Sequence, residues 1–140
     1  MPAAKQDKPS EVAHSKRATF DRMAKKKPVE REVPITLVGD DGEEEELSIL
    51  FRAISAGDYD KLMAKYPPTA KQKMENSTYD IERFGPALIA ACSVDPELSY
   101  DEAKAIWDDP SWSRGETMTL FGACVELNNK ALNAPFFGSA

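Results

Sequence analysis

The chain is poor in the residues from which reactive sites are built. It has one histidine, His14, and two cysteines, Cys92 and Cys124. A lone histidine lacks the Cys/His partners of a metal centre and the Ser/Asp setting of a nucleophilic triad. No glycine-rich loop with phosphate-binding spacing occurs, and no G-x-S-x-G elbow. Carboxylates are plentiful, yet they fall on polar helix faces, at helix caps and in one turn. These gaps predict a protein that is not an enzyme and has no catalytic residue, metal or cofactor. Long apolar runs are missing too. None approaches the ~18 residues of a membrane span, and the opening MPAAKQDKPSEVAHSK lacks the apolar stretch of a secretion signal. A soluble protein that stays where it was made is expected. The cysteines, in LIAACSV and LFGACVEL, read as buried thiols of a reducing compartment.

What the chain does contain is one domain's worth of sequence. With 140 residues, 41% of them apolar, it can bury roughly two-thirds of its unfolded surface, enough for a core without staples. Its net charge of −6 is unevenly spread. Residues 1–27 carry eight Lys/Arg against three acids, or +5, which leaves −11 on the remainder. A basic arm therefore leads into an acidic body. Residues 1–28 lack sustained apolar periodicity and read as a disordered arm with a transient helix around 11–25. The body spans 29–132, and 133–140 form a short irregular tail whose Phe136-Phe137 either docks back or meets a partner.

In the body, VPITLV places Val33, Ile35 and Leu37 on one face, and LSILF does the same with Leu47, Ile49 and Phe51. The intervening GDDGEEEE makes the pair a β-hairpin with one buried face. The acidic run lacks the ligand spacing of a calcium loop and reads as a solvated turn. Helical segments follow. Ser55 and Asp58 open AGDYDKLMAKY, with Tyr59, Leu62, Met63 and Tyr66 on one stripe, and Pro67-Pro68 stop it. Thr69 and Gln72 cap a short turn. Asp80 caps DIERFGPALIAACSV, which Asp95-Pro96 end; Pro86 predicts a kink, or a start nearer the proline. This segment, nearly apolar all round at ALIAAC, is expected to be the central helix. Two full capping boxes, Ser99/Glu102 and Ser113/Glu116, open the last two helices. Ala103, Ile106 and Trp107 face inward on the first. Thr117, Leu120, Phe121, Cys124 and Leu127 or Asn128 do so on the second. The predicted fold class is α+β, a hairpin packed on about four short helices.

Both tryptophans sit in AIWDDPSWSRGETM. The patch reads as a corner between two capped helices rather than a catalytic pocket. Trp112 takes the staple position before Ser113 and is expected to pack near Thr117. Asp108 and Asp109 are expected to pair with Arg114 or to be solvated.

The order of these segments, and above all PALIAACSVDP and WDDPSWSRGE, resembles the tail assembly chaperones of long-tailed, non-contractile bacteriophages over residues 31–130. The resemblance implies a non-virion assembly factor in the host cytoplasm, absent from the mature virion. It implies binding to the tape measure protein, and a longer frameshifted form of the same chaperone that recruits the major tail protein. With no second domain after residue 130, the chain looks like the short form. Self-association is compatible with it; membrane binding is not expected. A helix-in-groove surface between the hairpin and the helices is expected to hold the partner, with Tyr59, Leu62, Tyr66, Trp112, Phe121 and Leu127 as its residues. The bland alternative makes the same side chains core. Two other functions compete: a structural tail-completion or head–tail connector subunit, and a nucleic-acid-binding protein acting through the basic arm.

Overall fold

The computed structural model describes residues 16–130. The expected irregular tail, His14 and the first half of the expected arm lie outside the described residues. Within them the fold is α+β, a three-stranded antiparallel sheet with six helices. A five-residue turn of helix, α1 (Phe20–Ala24), is capped by Thr19 and buries nothing.

Strands β1 (Glu30–Val38) and β2 (Glu44–Arg52) form the hairpin, with Val33 opposite Ile49 and Ile35 opposite Leu47. Gly42 turns it at φ 81°, a left-handed conformation that favours glycine. Asp41 holds the turn by accepting from the Glu43 amide at 3.0 Å. Bonds from Gly39 N to Glu43 O and from Ala53 N to Val29 O frame the ladder. Odd-numbered residues of β1 therefore bond to β2, and even-numbered ones point their backbone groups at the open edge. Pro34, which has no amide to offer, sits in the middle of that edge and blunts it.

Helices α2 (Ala56–Lys65), α3 (Ala70–Met74), α4 (Ile81–Cys92), α5 (Tyr100–Asp108) and α6 (Arg114–Asn128) follow. Each begins at the cap that local chemistry dictates: Ser55, Thr69, Asp80, Ser99 and Ser113. The last two, and Thr69 with Gln72, are complete capping boxes. Each cap satisfies amides that the first helical turn leaves free.

Two expectations need correction. The α4 segment ends at Cys92, and residues Ser93–Asp95 become a third strand, β3, antiparallel to β2. Ser93 makes the switch by donating from Oγ to the Ala90 carbonyl at 2.9 Å while accepting from the Leu98 amide at 2.8 Å. Asp95 precedes a proline and is disfavoured in a helix. Pro86 does not delay the start of α4, which begins five residues earlier at Ile81. The carbonyl its missing amide would have served, that of Glu82, accepts from Lys104 Nζ of α5 at 3.1 Å instead.

Helix α4 is the central helix, as expected, with Phe84 through Ile89 buried in an unbroken run. It packs against α2, α5 and α6, and α6 in turn covers the hairpin. Phe51, Phe84, Leu88 and Cys124 are sealed completely. Each large apolar side chain so buried stabilises the fold by about 1.5–3 kcal/mol. Aromatic rings knit the centre: Phe84 meets Phe121 edge-on at 5.8 Å, and Trp107 meets Phe121 at 6.2 Å.

Candidate protein-docking surface

The tryptophan-rich corner is built as a lock between α4, α5 and α6. Trp107 Nε1 donates to Glu82 Oε1 at 3.0 Å, and the Arg114 guanidinium lies 5.0 Å from the indole centre. Arg114 pairs with Glu82 at 3.3 Å, not with the neighbouring aspartates. Asp108 pairs with Lys104, and Asp109 accepts from both the amide and the hydroxyl of Ser111. Glu82 is bonded to the indole nitrogen at the ring edge while Arg114 lies over the ring, so one carboxylate serves both donors.

Six residues were expected to line a partner groove, and they do not come together on one surface. Phe121 and Leu127 are 4% and 6% exposed and belong to the core. Tyr59 and Leu62 of α2 are half-buried against that core, with Tyr59 edge-on to Phe84 at 5.9 Å. Tyr66 stacks on Tyr100 under the Arg83 guanidinium. The ring chain Tyr59–Phe84–Phe121 fills the space where the groove was expected. Packing took these side chains because the apolar stripes of α2, α4 and α6 converge.

Trp112 is different. It is half-buried at the edge of a cleft of about 170 Å³ between β1 and the first half of α6. Pro34, Ile35 and Thr36 form one wall, and Trp112, Glu116, Thr119 and Leu120 the other. Thr117, which was expected to meet Trp112, is turned into the core, its Oγ1 donating to the Arg114 carbonyl. The cleft is too small for a typical substrate, whose pockets run to about 300–1,000 Å³. It has room for a single apolar side chain. A larger hollow of about 530 Å³ lies at the other end of α6, near Val29, Leu127 and Lys130. Its Arg31 is spent on an ion pair with Glu126, and the last described residue stands on its rim.

Beyond the cleft the hairpin overhangs the helices. Exposure on its inward face climbs from zero at Phe51, through Val33 and Ile49, to half-buried Ile35 and Leu37 and then to 42% at Leu47. The tip carries Asp40, Asp41 and four successive glutamates, residues 43–46. This overhang escaped the sequence reading, which took the whole face as buried. One signal could have revealed it: the register pairs Leu37 with Glu45, so the apolar face already carries a charge there.

Polar groups inside the body are tightly matched. Asp80 accepts from Gln72 Nε2, Arg83 Nε and the Glu82 amide, so it ties α3 to α4. The Gln72 bond, then Arg83, hold its carboxyl below the ordinary aspartate range despite burial. Asn128 accepts from the Ile54 amide at 2.8 Å and donates to Cys92 Sγ and the Cys124 carbonyl. Cys92 and Cys124 are buried free thiols, and hydrogen bonding to Cys92 together with burial pushes Cys124 up. Among the described residues, no group of three His/Cys/Asp/Glu is placed to hold a metal ion, and no helix is long and apolar enough to cross a membrane. In comparisons with protein-family models, curated proteins and solved structures, nothing matches this chain.

Proposed function

We propose that the protein is a phage tail assembly chaperone that holds the tape measure protein in solution until the tail tube forms. The observation that carries this reading is the Trp112 cleft, a notch with Pro34, Ile35, Trp112 and Leu120 as its apolar walls and Thr36, Glu116 and Thr119 as its polar ones, set in a body of charge −11. A long helical client exposes apolar side chains at helical spacing, and one such anchor fits a cleft of about 170 Å³. The acidic exterior then faces water, and neighbouring chaperones on one client repel rather than precipitate. No chemistry is asked of the chain. On this reading it works in the host cytoplasm, partners a longer frameshifted form that brings in the major tail protein, and is absent from finished particles.

The test is co-expression of the full chain with a tape measure fragment that is insoluble alone. Thr119→Arg blocks the mouth of the cleft from an exposed helix position, and Trp112→Ala removes its wall. Both variants are expected to retain their helical circular dichroism while the soluble fraction of the fragment drops several-fold. Unchanged solubility with folded variants, or stoichiometric recovery of this chain in purified particles, refutes the proposal. The second outcome would favour a connector subunit instead.

A further inference from the structure

Two exposed features of this chain complement each other. Helix α1 presents Phe20 at 82% exposure and Met23 at 65%, one turn apart. Around them stand Lys16, Arg17, Arg22 and the lysines 25–27 against Asp21 alone, a charge of +5 over residues 16–27. The hairpin tip offers the converse. Leu47 is uncovered and Leu37 half-buried on the inward face beside Glu45, and residues 40–46 carry six acids and no base. We infer that α1 of one copy docks on the hairpin tip of a second copy, Phe20 and Met23 on Leu37 and Leu47, its basic flanks against the acidic run.

The placement of the arm, together with its length, favours a second copy's tip over its own. Val29 is pinned in the ladder by its bond from Ala53 N. From Val29 to Leu37, eight residues along the strand, is about 27 Å. The five links from Ala24 to Val29 span at most about 17 Å, and the helical turn back to Phe20 adds about 6 Å. An arm of this length reaches Leu47, opposite Ile35, only when drawn nearly taut, and in the folded chain it does not lie there: Phe20 and Met23 stand 82% and 65% exposed. A second copy meets the tip without stretching the linker. The donor and acceptor patches differ, so one contact leaves the donor its tip and the acceptor its arm. The remaining arm and tip either meet each other, closing a two-fold dimer, or take further copies and build rings or open chains. This inference does not rest on the client proposed above: it uses tip residues, not the cleft, and its assay contains this chain alone.

The experiment is sedimentation velocity on the nuclease-treated full chain. The wild type is expected to grow in mass with concentration at ~50 mM salt and to dissociate several-fold more readily at ~300 mM, as screening shortens the reach of the charges. Phe20→Asp with Met23→Asp, or Leu47→Asp, is expected to leave monomers. Mixed together, these two variants share one intact arm and one intact tip and stop at a dimer. Lys25→Glu, Lys26→Glu and Lys27→Glu in one chain, and Glu44→Lys, Glu45→Lys and Glu46→Lys in another, are each expected to be monomeric and to assemble when mixed. All these positions are exposed, and circular dichroism checks that the fold is kept. A wild type that stays monomeric at low salt overturns the inference. So does association that survives the Phe20/Met23 changes, that depends on residual nucleic acid, or that the charge-swapped mixture fails to restore.

Discussion

Replacing Gly85 by alanine sets helix propensity against packing, and the two predict opposite signs. Gly85 lies inside α4, where alanine is favoured by about 1 kcal/mol on propensity alone. A Cβ built there, however, meets the Trp107 ring, 2.7 Å from Cζ3 and 2.8 Å from Cζ2, with Cη2 nearer still. Carbon atoms rest at about 3.5–4.0 Å, so the ring must retreat by about 1 Å. It is held by Glu82 at Nε1, Arg114 over its face and Phe121 at its edge. Overpacking of that kind costs about 1–3 kcal/mol, and expulsion of a tryptophan sets a ceiling of about 3–5 kcal/mol. Less the propensity gain, Gly85→Ala is expected to lose about 2 kcal/mol, lowering the urea midpoint by roughly 1 M when followed by circular dichroism. Gly122 supplies the control: it is exposed on α6 with nothing within 4 Å of an added Cβ. Gly122→Ala is expected to gain about 0.5–1 kcal/mol. Adding Trp107→Phe to Gly85→Ala frees space, so the pair is expected to lose less than the sum of the single changes. A Gly85→Ala protein as stable as the wild type, or more so, would falsify the packing argument.

Two further changes probe the polar ties. Asp80→Asn keeps the cap but removes the charge that Arg83 and Gln72 favour, at about 1 kcal/mol near neutrality. Because the folded carboxyl lies below its ordinary value of 3.8, its stabilisation is complete above that pH and disappears as the pH falls through the lower folded value. Urea midpoints of the two proteins should therefore converge below about pH 4, and a gap independent of pH refutes the ionic role. Asn128→Leu strands the Ile54 amide and is expected to cost about 1–3 kcal/mol. Faster hydrogen exchange at Ile54 than at neighbouring hairpin amides reports it; an unchanged Ile54 rate with unchanged stability counts against the tie.

What could be read from residues alone was what depends on near neighbours. Ser55, Thr69, Asp80, Ser99 and Ser113 announced five helix starts, since a cap and the amides it serves lie within three residues. Alternation along VPITLV and LSILF, with Gly42 between them, specified the hairpin by its period of two. The inward stripes of α5 and α6 followed from a period of 3.6. Contacts between distant segments decided the rest. Only the folded body has Lys104 beside the carbonyl that Pro86 leaves free, so an apparent helix break is tolerated. Only there does Phe51 offer Ser93 a strand to join, cutting α4 short. Where the helical layer stops beneath the hairpin is likewise a tertiary matter. It is set by how α6 lies on β1, and it makes Phe121 and Leu127 core while leaving Trp112 and Leu47 within reach of another molecule.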